Sequence, residues 1–210
     1  MYSILLYTAL FAGILPLLMA FPKKRAFVFK EPITPFIWLI FLATLYEGII
    51  AIVLKTNIIY WNHIYSFLEI LTVFYFYFKL FHPRFKTILI LLFVLLILTH
   101  IISFYLIDTS LFIAVAVNTV PLTSLVILGS FWCVRDLFKS DETQNLWQNP
   151  AFYFVSAFYI YYLVTMPLFL MANFIFDSNL YFYDFAIVNI MATLILRILL
   201  TIGVWKMKPT

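Results

Sequence analysis

Seven long apolar segments, separated by short polar connections, make up almost the whole chain. The segments are 3–21, 33–54, 58–81, 87–107, 110–134, 151–175 and 181–205. Each has the roughly 20 residues that a helix needs to cross a hydrocarbon core of about 30 Å. None alternates apolar and polar residues as a barrel strand does, so the pattern predicts helices. We expect one all-α membrane domain, 1–210, folded as a bundle of seven transmembrane helices.

Composition points to the same class of protein. Hydrophobic residues make up 66% of the chain and charged residues only 10%, whereas a soluble domain is nearer half apolar and a quarter charged. Patches of that size on a soluble surface would aggregate, so the lipid bilayer is the expected environment. The single cysteine, Cys133, excludes an intrachain disulfide and any multi-cysteine metal site. The basic residues lie in short loops beside apolar segments, so we expect no nucleic-acid partner.

The distribution of basic residues predicts the orientation. Eleven of the 13 Lys and Arg residues fall in alternate connections on one side, and only Lys55 falls on the other. Because basic loops stay in the cytoplasm, we expect the N-terminus outside and the C-terminus inside, in the inner (cytoplasmic) membrane. Basic residues follow the first segment instead of preceding it, unlike a secretory signal, so we expect that segment to be retained.

Polar side chains within the segments are the candidate site residues, because such groups are costly in lipid and usually face a bundle interior or a wet cavity. They are Glu47, His63, Glu69, His100, Asn118, Asn189 and Arg197. At 1.5 Å per helical residue, most of them lie in one layer roughly 11 Å below the outer surface, with His63 shallower. Glu69 and Arg197 lie deeper, near mid-membrane. We therefore expect an outward-facing polar pocket above a Glu69–Arg197 ion pair that joins the third and seventh helices.

Known catalytic patterns are missing from the sequence. It has no nucleotide-binding loop, no serine-hydrolase elbow and no pair of histidines at metalloprotease spacing. We therefore expect no catalytic residues, metal or cofactor, and favour a role other than catalysis.

Pro16, Pro121 and Pro167 fall inside the first, fifth and sixth helices, where proline removes a hydrogen bond and can kink the helix.

Three short motifs carry a resemblance to a known group. They are the Tyr-Ser-Phe-Leu-Glu run at 65–69, the Asn-Pro-Ala-Phe-Tyr run at 149–153, and Asn189 followed by Ile-Gly-Val-Trp-Lys at 202–206. Together they resemble small seven-span bacterial membrane proteins, some of which are similar to the membrane sensor modules of signalling proteins. With the outward-facing polar pocket, this resemblance favours a sensory or signalling module that binds a small-molecule ligand and reports to a cytoplasmic or membrane protein partner. The basic inner connections, including 135–150, are the expected docking surface. The resemblance supplies no catalytic residues.

Two other functions stay open. Seven spans with an outer N-terminus and prolines in the first, fifth and sixth helices are similar to the SWEET sugar transporters, which consist of two three-helix repeats around a linker helix. The Pro-Gln motif typical of the wider PQ-loop group is missing. The other alternative is an accessory subunit of a membrane complex. Superposable halves would indicate the transporter, and an asymmetric bundle with an outward pocket would indicate the sensor.

Overall fold

The computed structural model describes residues 2–24, 28–29, 31–53, 59–81, 86–106, 111–139, 146–171 and 182–208. These ranges form seven α-helices: α1 Tyr2–Ala20, α2 Thr34–Leu45, α3 Ile59–Leu80, α4 Lys86–Leu106, α5 Leu111–Lys139, α6 Pro150–Leu170 and α7 Phe182–Lys206. A π-helix, Tyr46–Val53, continues α2, and a 3₁₀ turn, Leu146–Gln148, precedes α6. One helix stands where each apolar segment predicts it, so the prediction of an all-α fold is confirmed.

Five of the helices in the described ranges are long and apolar enough to cross a membrane. Their spanning stretches are Tyr2–Ala20, Lys86–Ser103, Thr119–Phe138, Pro150–Leu170 and Tyr183–Lys206. The α-helical part of α2 is short because the backbone changes to a π-helix at Tyr46. The polar side chains of α3, Glu69 among them, dilute its apolar character. The chain is thus a membrane protein by its helices, and the count of seven crossings stays a prediction.

The helices form a ring in chain order. Each packs against its neighbours in sequence, and α7 returns to α1 and closes the ring. The third helix also packs against α5, and its residues Ile70, Val73 and Tyr77 have no exposed surface. Much of α3 is therefore surrounded by protein instead of lipid, which explains how it accommodates a carboxylate.

Aromatic side chains from three helices form the centre of the core. Phe36 of α2, Phe76 of α3 and Phe158 of α6 are buried. Phe158 meets the other two rings edge to face, with centroids 4.7 Å from Phe36 and 5.1 Å from Phe76. Edge-to-face pairs contribute about 0.5–1.5 kcal/mol beyond their buried area. This packing lies in the half of the bundle where α2 and α6 begin and α3 ends.

That end of the bundle carries a group of lysines, and we call it the basic end. The lysines with described positions there are Lys23, Lys24, Lys79, Lys86, Lys206 and Lys208. Lys23, just after α1, donates to the carbonyls of Trp205 and Met207 and so caps the last turn of α7. The Nζ atom of Lys86, at the start of α4, lies 4.9 Å from the Phe78 ring centroid near the end of α3. The alternation of basic connections predicts this convergence, while the side of the membrane that the basic end faces stays a prediction.

Candidate functional site

A carboxylate from α3 is held inside the ring by a phenol from α6. Glu69 Oε1 accepts a hydrogen bond from the Tyr162 hydroxyl at 2.8 Å, and Tyr162 is 2% exposed. Tyr65, Glu69 and Val73 follow one another at four-residue intervals, so they share one face of α3. Because that face meets protein, the carboxylate receives a hydroxyl donor in place of water.

A guanidinium from α7 is buried between α1 and α2. Arg197 is 6% exposed, and its Nη1 donates to the Ala9 carbonyl of α1 at 2.6 Å. Its Nη2 lies 3.9 Å from Oε2 of Glu47, whose side chain is half-exposed. Its Nε has no hydrogen-bond partner among the described residues. A guanidinium has five N–H donors, so this one is only partly satisfied.

The close approach of α1 to this guanidinium depends on Gly13. A Cβ at Gly13 would collide with the Thr44 hydroxyl of α2 and lie 3.0 Å from Arg197 Cζ. The Thr44 hydroxyl donates to the Ile40 carbonyl within α2 at 2.8 Å, so it cannot turn away without losing that bond. Gly13 therefore makes room for the three-helix junction that contains Arg197.

Two more tyrosines complete what we call the polar cluster: Glu47, Tyr65, Glu69, Tyr161, Tyr162 and Arg197. Tyr65 and Tyr161 are both in electrostatic range of Glu69, Glu47 and Arg197. The Tyr161 hydroxyl is also within hydrogen-bonding range of the Thr193 hydroxyl on α7. The cluster thus joins residues from α3, α6, α7 and the π-helix after α2.

The predicted Glu69–Arg197 ion pair is wrong. Glu69 pairs with Tyr162, and Arg197 pairs with Ala9 and Glu47. Residue counting places the two charges at similar depth, but depth does not specify where each side chain points around its helix. Glu69 faces α6, whereas Arg197 faces α1 and α2.

The two histidines lie elsewhere, between α3 and α4. The His100 ring packs on Phe67 with centroids 5.6 Å apart, and His63 is in electrostatic range of His100. His63 and Tyr65 are two residues apart on a helix, so they project to nearly opposite faces. The polar layer predicted from depth therefore divides into at least two separate places.

The two asparagines complete the set of predicted site residues. The side chain of Asn118 lies outside the described residues. Asn189 is two turns before Arg197 on α7, and its buried Oδ1 has no partner in the described part of the chain. Its carbonyl accepts from the Thr193 hydroxyl at 2.9 Å. Asn189 and Thr193 thus extend the polar stripe of Arg197 along α7.

The sequence pattern does not single out the tyrosines or the glycine of this cluster. The chain has 14 tyrosines, so the sequence does not distinguish Tyr65, Tyr161 and Tyr162 from the tyrosines that only pack against other helices or lipid. Gly13 offered a better signal, since the chain has only 4 glycines and this one lies in the middle of a helix. A glycine there often marks a close helix–helix approach in membrane proteins.

The cluster offers recognition chemistry. It provides guanidinium N–H groups, two carboxylates and three phenols, and no group of three His, Cys, Asp or Glu side chains in the described ranges is placed to hold a metal ion.

No family model, curated protein or solved structure matches this chain. The connections 54–58, 107–110 and 172–181, which would surround an outer pocket, lie outside the described residues. The outward-facing pocket therefore stays a prediction.

Proposed function

We propose that the chain is a seven-span membrane sensor in which a small carboxylate-bearing ligand binds Arg197 and the signal passes to a cytoplasmic partner. The observation that supports this is the incomplete pairing of a buried guanidinium: one hydrogen bond, one ion pair at 3.9 Å and an Nε without a partner among the described residues. Buried polar groups are normally satisfied, so each exception needs an explanation. We infer that a ligand carboxylate completes the hydrogen bonding of this guanidinium.

The ligand chemistry follows from the geometry of arginine. A planar guanidinium binds a carboxylate through two parallel N–H donors, and such bonds are stronger than neutral ones. Glu47 makes a poor version of this contact, because its Oε2 is 3.9 Å away and its side chain is half-exposed. A free carboxylate that reaches Nε and Nη2 together would displace Glu47.

Displacement of Glu47 gives a route for the signal. Glu47 is the second residue of the π-helix Tyr46–Val53, and π-helical turns within longer helices occur frequently at functional sites. Release of Glu47 allows this segment to change between π and α hydrogen bonding, which rotates the residues beyond it. Because α2 begins at the basic end, its movement would reach the surface where we propose that a cytoplasmic partner docks, together with the segment that joins α5 to α6.

Ligand retention provides the test. The protein is extracted from its native membranes in mild detergent, and bound small molecules are identified by native mass spectrometry. We expect wild type to retain a carboxylate-bearing compound, Arg197→Gln to lose it, and Glu47→Gln to retain more because the competing carboxylate is gone. Arg135→Gln, an exposed position on α5, is the matched control and should behave as wild type. Equal retention by all four proteins would refute the proposal.

Two further measurements separate the sensor from its rivals. A SWEET-like transporter would accumulate the retained compound inside sealed vesicles, whereas a sensor would bind it without accumulation. An accessory subunit would copurify with other membrane chains and retain no small molecule. A cysteine placed at residue 142 tests the proposed orientation. Its reaction with a membrane-impermeant maleimide in inside-out vesicles, but not in whole cells, would support a cytoplasmic position.

A further inference from the structure

A cavity of about 420 Å³ lies at the basic end, away from the polar cluster. It is bounded by the start of α2, the end of α3, the start of α6 and the end of α7. Its volume falls within the range of about 300–1,000 Å³ that is typical of small-molecule sites. The cavity opens beside the ends of α6 and α7, which are long enough to cross the membrane, so it lies at the membrane surface.

The cavity wall has a charged mouth and an aromatic floor. Lys206, Lys208 and Gln148 are exposed, and Phe76 and Phe154 are buried. Phe154 packs closely against α7 because the facing residue is Gly203, where a Cβ would collide with the phenyl ring. A ligand that matches this wall has an anionic head and an apolar body.

We infer that this cavity binds the headgroup of an anionic phospholipid, with the phosphate at Lys206 and Lys208. Basic pockets between membrane helices recognise anionic headgroups in this way, and the aromatic floor suits the glycerol backbone and the first acyl carbons. The start of α6 adds a favourable dipole. Its first amides are already bonded to Asn149, at 3.0 Å for Ala151 N and 3.2 Å for Phe152 N. The lysines must therefore make the direct contacts.

Glu31 provides an internal check on the sign of the interaction. It also lines the cavity, and a carboxylate there opposes an anionic ligand. Neutralising Glu31 should strengthen phospholipid binding, whereas neutralising the two lysines should weaken it. At a site for a cationic ligand, neutralising Glu31 would weaken binding and neutralising the lysines would strengthen it. At a site for a purely apolar ligand, neither change would alter the affinity.

The probe is phosphatidylglycerol against phosphatidylcholine, added to the purified full-length protein in detergent and measured by native mass spectrometry. We expect wild type to prefer phosphatidylglycerol and the double variant Lys206→Gln/Lys208→Gln to bind it roughly 25-fold more weakly, about fivefold for each lysine near the lipid charge. Lys79→Gln/Lys86→Gln removes the same charge from the same end outside the cavity and should bind as wild type. Glu31→Gln should bind more tightly.

Three outcomes would overturn the inference. Equal loss in both lysine pairs would mean that general surface charge attracts the lipid. Competition by inorganic phosphate as strong as that by phosphatidylglycerol would mean that the cavity takes a free anion instead of a lipid. Unchanged binding in Ala151→Leu, which fills the cavity without altering charge, would place the lipid elsewhere; reduced binding would support the cavity.

Discussion

Removing the charges of Arg197 and Glu47 tests whether the polar cluster holds the bundle together. The double variant Arg197→Met/Glu47→Gln replaces the guanidinium with an apolar chain of similar length and the carboxylate with its neutral isostere. In wild type the pair contributes one charged hydrogen bond, Nη1 to the Ala9 carbonyl, and one contact at 3.9 Å. We expect the double variant to be as stable as wild type.

The magnitude follows from setting these contacts against desolvation. Hydrogen bonds between membrane helices contribute about 0.6 kcal/mol on average and about 1.7 at most. A half-exposed ion pair adds about 0.2–1 kcal/mol. Burying a guanidinium costs several kcal/mol, and replacing a buried pair with apolar groups is often neutral or stabilising by about 1–4 kcal/mol. The free energy of unfolding should therefore fall by less than about 1 kcal/mol, or rise.

Four proteins measure this effect: wild type, the two single variants and the double variant. Unfolding in detergent micelles is followed by circular dichroism during titration with sodium dodecyl sulfate. The double-mutant cycle should give a coupling of about 1 kcal/mol or less. A loss of more than about 3 kcal/mol in the double variant would show that the pair is a structural staple, because that is the range for a broken buried pair. Such a loss would mean that the protein contacts of Arg197 already satisfy its guanidinium and that it is not available to a ligand.

Four further predictions concern helix packing. Gly13→Val should destabilise the protein by about 1–3 kcal/mol, because its side chain overlaps the α1–α2–α7 junction. Gly48→Ala, where a Cβ meets nothing within 4 Å, should be neutral or stabilising by up to about 1 kcal/mol. Tyr162→Phe should lower the free energy of unfolding by about 0.6–1.7 kcal/mol, because it removes the hydrogen bond to Glu69 of α3. Tyr159 is 40% exposed, so Tyr159→Phe should leave the free energy of unfolding almost unchanged. Cys133, only 6% exposed, should react with maleimide slowly in the folded protein and quickly after denaturation; rapid reaction in the folded protein would contradict the packing of α5.

The helices were predictable because their signal is local. In lipid, an apolar run of about 20 residues forms a helix, since no water is present and every backbone group must be bonded within the segment. The ends are less well defined: α5 continues to Lys139, beyond the 134 at which its apolar run stops. A helix can extend past the hydrocarbon layer with polar residues, so hydropathy marks the span and not the helix.

The candidate site was only partly predictable. Residue counting predicts Glu47 in an outer layer and Glu69 with Arg197 below it, whereas the structure places all three in electrostatic range of Tyr65 and Tyr161. The assignment of partners was wrong for Glu69. The change to a π-helix at Tyr46 was not visible in the sequence, because a π turn replaces α turns without altering the apolar pattern.

The order of apolar and basic residues is enough to establish that this chain is an all-helical membrane protein and that its basic residues gather at one end. Both conclusions depend only on the positions of residues along the chain, because depth in the membrane is proportional to residue number within a helix. The pairing of Glu69 with Tyr162, the contacts of Arg197 with Ala9 and Glu47, and the separate position of the histidines are visible only in the folded bundle. Those contacts depend on the rotation of each helix about its axis and on closure of the ring by α1 and α7. Side chains three and four residues apart share a face, but the neighbour opposite that face is set by packing of the whole bundle.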